Sequence, residues 1–380
     1  MPSSNAEPRD KVLHVLTLNG RNGEYGGPVR VARELCLELE KRDYATHIFS
    51  GALAGSEPIQ MANLNESFVL AKPISKKLPV SSLWNWHLIK PLSKLIKSSN
   101  LVHIHFARDL IPFSAALLSI IYRKPFVTQT HGMIISDARI ITRILDNLLT
   151  RPLINKSKSN FVLTEIEFNA ISKLKIKSSA RILPNGISVN TSGKSKSNQH
   201  KKVVFCSRLE KRKGVAKFIE LANSFKDSCI DFEIYGPDGG ELELVHSEIT
   251  SKNLTRTLKY NGAIQAQQVQ GVLLETDLLV LPSKDEPFPM VILEALAVGT
   301  QVLIMPSCGF AKELANFEPN FVSPTDDFAG LRAAFMKIVN DDFQSKNRDE
   351  IIEYCRENFG IAKVVDQLTK TYKDLIKNDK

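Results

Sequence analysis

Asp285-Glu286-Pro287-Phe288-Pro289-Met290-Val291-Ile292-Leu293-Glu294 decides how this 380-residue chain folds. The preceding residues 277–282, DLLVLP, form an apolar run of strand length. Such a run reads as a parallel strand buried on both faces. Residues 290–298 read as a helix, and Pro289 suits its first turn. The segment is therefore strand, acidic loop, helix. Glu286 falls at the carboxyl edge of a sheet, where open α/β folds hold ligands. The helix start that follows offers amides suited to phosphate.

Working outward, the same rhythm recurs. Residues 11–18 read as a first strand, a Gly-rich turn follows at 23–27, and a helix runs from Pro28 to about Arg42. Residues 44–50, 101–106, 126–130 and 161–164 read as further strands with helices between them. The polar stretch 191–199, TSGKSKSNQ, reads as a linker. Strands at 202–207, 230–235, 257–260, 277–281 and 301–304 then alternate with helices from 213 and at 240–250, 265–275 and 289–298. Residues 344–378 look helical throughout. Two mostly parallel α/β domains follow from this alternation.

The length allows two full cores. The scattered cysteines Cys36, Cys206, Cys229, Cys308 and Cys355 form no C-x-x-C pair, which argues against a disulfide framework or a zinc site and fits a reducing compartment. No apolar signal core opens the chain, and the run 110–122 is too short to span a bilayer. A cytoplasmic protein, at or near the inner membrane face, is expected. The net charge of +9 is uneven: residues 1–190 carry 25 Lys+Arg against 14 Asp+Glu, and residues 191–380 carry 25 against 27. The basic half suits an anionic partner, an anionic membrane surface among them, or simply a soluble surface. Residues 72–97 hold both tryptophans and six lysines. There Trp84, Leu88, Leu92 and Leu95 share a stripe beside Lys90, Lys94 and Lys97, with Pro91 interrupting. The stripe fits a membrane interface or a core-facing helix equally.

Several residues have the types and positions that chemistry needs. Arg208 and Lys213 follow a strand and precede a helix, and two fixed cations stabilise a departing diphosphate without a metal. Glu294 sits among apolar neighbours on its helix, and a carboxylate accepts two hydroxyl bonds. Gly26 and Gly27 let backbone approach a ligand, although the sequence has no G-x-G-x-x-G. His131, before Gly132, ends a strand and faces the ligand crevice. Of His103 and His105, only His105 lies near its strand end. Asn185-Gly186 reads as a turn. No strand-end D-x-D pair or Cys/His metal spacing occurs. A metal-independent reaction without a cofactor is expected.

The paired glutamates, with Ala295, Leu296, Ala297 and Gly299 after them, resemble the donor-site motif of the retaining family 4 glycosyltransferases. These use nucleotide sugars and have the GT-B fold, two Rossmann-like doubly wound domains facing across a cleft. The segment from Arg208 to Lys213-Gly214 resembles the same family's R-x4-K-G pattern. The resemblance implies an acceptor-binding domain over 1–190, a nucleotide-sugar domain over 200–358, and a C-terminal helix, 359–380, crossing back to the first. It implies that Arg208 and Lys213 hold the diphosphate, Glu286 the donor sugar and Glu294 the ribose. His131 would orient the sugar or stabilise charge at its reacting carbon. Gly26, Gly27, Gly236, Phe288, Met290 and Val291 would complete the donor site. Pro289 departs from the family's glycine there. The implied activity is transfer of a sugar to a hydroxyl acceptor with its anomeric configuration retained, the acceptor being lipid-linked or a cell-surface polysaccharide precursor. No nucleic acid is implied. The alternatives are a nucleotide-sugar epimerase of similar fold and a catalytically silent scaffold at a membrane.

Overall fold

The computed structural model describes residues 9–21, 27–73, 83–134, 139–189 and 200–378. Two compact units emerge: residues 1–186 with 361–380, and residues 187–360. The expected linker at 191–199 and the turn residues Gly23 to Gly26 lie outside the described residues.

The first unit is built on a seven-stranded parallel sheet. Its strands are β1 (Asp10–Leu18), β2 (Tyr44–Ala52), β3 (Glu66–Leu70), β6 (Leu101–His105), β7 (Phe126–Gln129), β8 (Ser159–Val162) and β9 (Ala180–Ile182), in the order β3-β2-β1-β6-β7-β8-β9. A two-stranded antiparallel ribbon, β4 (Lys72–Pro73) and β5 (Leu83–Trp84), lies apart from it. Side chains alternate along β1, so the sheet has a core on each face. Leu13 and Val15 pack with Leu92, Ile96, Ile111 and Ala115, whereas Leu16 packs with Val29, Ala32 and Cys36 of the helix Gly27–Glu40. β3 and β9 have no fully buried residue, so no apolar run announces them in the sequence.

The tryptophan-lysine region proves to be core-facing. Leu88 and Leu92 are fully buried, and Trp84 and Leu95 pack against the same core. The stripe is therefore unavailable to a membrane, although Trp86 is exposed. Residues 74–82 lie outside the described residues. Pro91 does not interrupt the helix; it sits in the first turn of Ile89–Ser98, where its missing N–H costs nothing.

The second unit has five parallel strands, β10 (Lys201–Cys206), β11 (Ile230–Tyr235), β12 (Leu258–Tyr260), β13 (Leu278–Leu281) and β14 (Gln301–Ile304), in the order β12-β11-β10-β13-β14. β13 is buried along its whole length between β10 and β14, as its unbroken apolar run predicts. The helical end of the chain is divided. Arg348–Phe359 closes the second unit, extended backbone at Gly360 breaks the helix, and Ile361–Lys377 belongs to the first unit. There Val364, Val365, Leu368, Tyr372 and Ile376 are buried at helical spacing, and Arg42 bonds Asp366 and the carbonyl of Ala362. No helix among the described residues is long and apolar enough to cross a membrane.

Candidate active site

In an open α/β sheet, the crevice for a ligand opens where strand order reverses. In the second unit that point lies between β10 and β13. The loops leaving those two strands are 207–214 and 282–289, which carry four of the residues singled out above. The backbone forces them together. Gly214, at φ +78°, lies so close to Pro282 that a Cβ would sit 2.2 Å from its carbonyl oxygen. Lys284 N donates to Arg212 O at 2.9 Å.

Glu286 is buried at this junction. Its Oε2 accepts from Lys213 Nζ at 2.7 Å and from Arg212 Nη1 at 2.8 Å. Lys213 and Glu286 are mostly shielded from water, while Arg212 is about half exposed. The position of the acidic loop is fixed from below: Gly309 N donates to Glu286 O at 2.8 Å, and Asp285 adopts a left-handed φ of 50°. Arg208 is exposed on the first loop and pairs with Glu210 at 2.8 Å. Arg212 was not singled out from the sequence. Three consecutive cations, Lys211 to Lys213, gave no sign of which ones face the glutamate.

Met290–Ala297 is the expected helix, with Pro289 as its N-cap residue. Its first amides, those of Met290 and Val291, have no intrahelical acceptor. Glu294 is buried, and its charge, after burial itself, helps to push the thiol of Cys206 up to about 12. That places Glu294 near the carboxyl end of β10. Phe288 is buried, and its ring packs against Phe310 and Phe359 with centroids 5.2 and 6.1 Å away. It anchors the acidic loop. Gly236 follows β11 at φ +148°, and a Cβ there would lie 1.8 Å from Ser207 O. Ser207 N in turn donates to Tyr235 O at 3.0 Å, so the loop that carries Arg208 is stitched to the end of β11.

In the first unit, Gly27 starts the helix Gly27–Glu40, and Gly26 lies outside the described residues. His131 and Gly132 are both left-handed, at φ 50° and 73°, and form a sharp turn after β7. The residue that holds this turn is Glu167. Its Oε1 accepts from Thr130 Oγ1 and Gly132 N, each at 2.6 Å, and its Oε2 accepts from Leu163 N at 2.7 Å. Burial pushes its carboxyl above the ordinary range, and those three bonds oppose the shift. Glu167 lies in an ordinary-looking first helical turn, and only the contact across to β7 reveals its task.

His131 also ends a file of histidines. His14 Nδ1 lies 3.1 Å from His105 Nε2, and His105 Nδ1 lies 2.7 Å from His131 Nε2. His103 stacks on His105 at 4.8 Å and bonds the hydroxyl of Tyr372 at 2.5 Å. All four rings are buried. Burial pushes His14 and His131 down to about 3, a hydrogen bond with Asn185 opposing it at His131, and lowers His103 and His105 as well. Neutral imidazoles carry one ring proton each. The two ring contacts are satisfied only if their donors point the same way along the file, which couples the tautomer of His131 to those of His105 and His14. His14 escaped notice in the sequence because it sits mid-strand in an apolar run.

A family model described as Glycosyltransferase Family 4 matches residues 25–191, and one described as Glycosyl transferases group 1 matches residues 190–358. A 2-deoxystreptamine N-acetyl-D-glucosaminyltransferase of Niallia circulans is 27% identical over 143 residues, 37% of each chain. A UDP-Gal:alpha-D-GlcNAc-diphosphoundecaprenol alpha-1,3-galactosyltransferase of Escherichia coli is 30% identical over 169 residues, 43% of this chain. The chain thus spans 37% and 41% of the length of these curated relatives. The Anabaena protein HepE, in complex with UDP, shares the fold with a TM-score of 0.76 at 15% identity, over 96% of this chain and all of that one. With two family models that together cover residues 25–358, on a pair of parallel α/β sheets like those of GT-B enzymes, the chain belongs to the group 1, family 4 glycosyltransferases.

Proposed function

We propose that the protein transfers a sugar from a nucleotide diphosphate sugar to a hydroxyl acceptor, with the donor's anomeric configuration retained. The observation that carries this reading is the Lys213–Glu286 pair at the switch point of the second sheet, beside the start of the helix Met290–Ala297. As the bond from sugar to diphosphate breaks, negative charge grows on the leaving phosphate. Lys213 and Arg208 meet that charge, and the amides of Met290 and Val291 add their dipoles. Fixed cations do so without rearrangement at the moment of reaction. In this reading no metal or cofactor takes part. Glu286 holds Lys213 in place and accepts hydroxyl bonds from the donor sugar. Glu294 accepts the ribose hydroxyls. His131, neutral and with its tautomer coupled to that of His105, is assigned to the reacting sugar carbon.

The second unit is assigned to the nucleotide sugar and the basic first unit to the acceptor. An acceptor bearing a pyrophosphate or other anionic group suits the charge excess of residues 1–190. Polysaccharide or lipid-linked glycan assembly on the cytoplasmic side is the setting that this supports. The test is incubation with a panel of nucleotide sugars, with and without candidate acceptors, while free nucleotide is measured. Nucleotide release that requires acceptor, with a product of the donor's configuration, is the expected result. Conversion of the donor to another nucleotide sugar without acceptor would instead indicate an epimerase.

A further inference from the structure

Residues 140–156 of the first unit run continuously as the helix Ile140–Leu145, the π-helical turn Asp146–Thr150 and the helix Arg151–Lys156. A helix on a water-soluble surface buries its apolar face and exposes its polar one. This one is inverted over its first two turns. Thr142, Asp146 and Thr150, at four-residue spacing, are the buried side chains. Asp146 accepts both arms of the Arg108 guanidinium, at 2.7 and 2.9 Å, which satisfies it inside. Ile140, Ile141, Ile144 and Leu148 face outward with exposures of 73%, 81%, 52% and 69%. Such a row of large aliphatic residues in water marks an interaction surface.

The charges beside the row indicate what covers it. Residues 139–158 contain Arg139, Arg143, Arg151, Lys156 and Lys158 against the single acid Asp146, which Arg108 already neutralises. Arg139 and Arg143 are exposed beside the aliphatic row. On the adjoining helix Leu110–Ile121, Leu117 and Ile121 are exposed as well, and Arg123 and Lys124 follow. A second copy of the chain would bring like charges together. An anionic lipid surface accepts both parts, aliphatic side chains at the headgroup boundary and cations at the phosphates.

We propose that the outward face of residues 140–150 seats the protein on an anionic bilayer, with Ile140, Ile141, Ile144 and Leu148 entering the headgroup boundary and Arg143 meeting lipid phosphate. This deepens the reading of the first unit as the one that meets an anionic partner. It does not depend on the transfer reaction. The proposal also moves the lipid contact away from the tryptophan-lysine stripe, whose apolar side is in the core.

The test is co-sedimentation of the full chain with phosphatidylcholine vesicles, with and without phosphatidylglycerol. The unaltered protein is expected to sediment with the anionic vesicles and to be released by salt. An Ile141→Asp/Ile144→Asp variant should lose about tenfold or more in partitioning, and Arg143→Glu a smaller factor confined to anionic vesicles. Because these side chains are exposed, the melting temperature should not fall; a matched melt confirms folding. Absence of binding by the unaltered protein, or equal binding by the double variant, overturns the proposal. So does size-exclusion chromatography showing a dimer that the double variant dissociates, which would assign the face to a second copy. Nucleotide release is measured separately without vesicles, so failure of the transfer reading leaves this result standing, and the converse holds.

Discussion

Lys213 Nζ lies 2.7 Å from Glu286 Oε2, and both side chains are largely shielded from water. Removing one member of such a pair leaves the other charge buried without its partner, which costs far more than an exposed pair contributes. Glu286→Ala should lower stability by about 3 kcal/mol. Arg212→Ala, which removes a half-exposed cation from the same oxygen, should lower it by less than about 1 kcal/mol. A Lys213→Met/Glu286→Gln double variant should recover much of the stability but no nucleotide release. Urea denaturation of the three variants checks the ranking. Equal losses for Arg212→Ala and Glu286→Ala would mean that the pair is not the structural element described.

Glu167→Gln tests the clamp on the His131-Gly132 turn. Glutamine keeps one oxygen for Thr130 and Gly132, but its amide then faces the N–H of Leu163 with two donors opposed. A buried unsatisfied donor costs about 1–3 kcal/mol. Thermal denaturation should register a loss of that size, and nucleotide release should fall with it if His131 is positioned by this turn. Unchanged melting would show that the three bonds are dispensable.

The histidine file makes stability depend on pH. The folded-state values of His14, His103, His105 and His131 lie below the ordinary histidine value of 6.5. Below pH 6.5 the unfolded chain therefore takes up protons that the folded chain refuses. The contribution is present in full above pH 6.5 and is lost as pH falls toward about 3, the value for His14 and His131. Each such imidazole steepens the loss by up to about 1.4 kcal/mol per pH unit. Urea midpoints measured from pH 7 downward should fall accordingly, and less steeply in His14→Phe. A flat profile across that window would contradict the burial of the rings.

Gly236→Ala tests the stitching of β10 to β11. A Cβ there meets Ser207 O at 1.8 Å, and the backbone at φ +148° suits glycine alone. Strain and overpacking together should cost about 3 kcal/mol or more. Guanidinium denaturation measures this. An alanine variant as stable as the parent would show that the two loops are not in contact.

The sequence made the second sheet readable because a parallel strand buried on both faces carries a continuous apolar run, the whole of β13 and the later residues of β10 and β14. It hid β3 and β9 because edge strands need no such run. The loops bearing Arg208, Lys213 and Glu286 were legible because each follows a plain strand and precedes a plain helix, and Glu294 because it lies on the second of those helices. Arg212 and Glu167 were not, since their partners lie on other elements far along the chain. His14 illustrates the reverse limit: a site-type residue can be hidden in a strand interior. The apolar row at residues 140–148 follows helical spacing, but only the burial of Thr142 and Asp146 shows that it faces outward.

The most direct test of the diphosphate site is binding of nucleoside diphosphates to the unaltered protein and to Lys213→Ala, by isothermal titration calorimetry, followed by nucleotide release from the preferred donor. The proposed chemistry predicts a base-selective ligand for the parent, and for Lys213→Ala a loss of about 100-fold or more in turnover, with the fold intact by circular dichroism. Full binding and turnover in Lys213→Ala would contradict it.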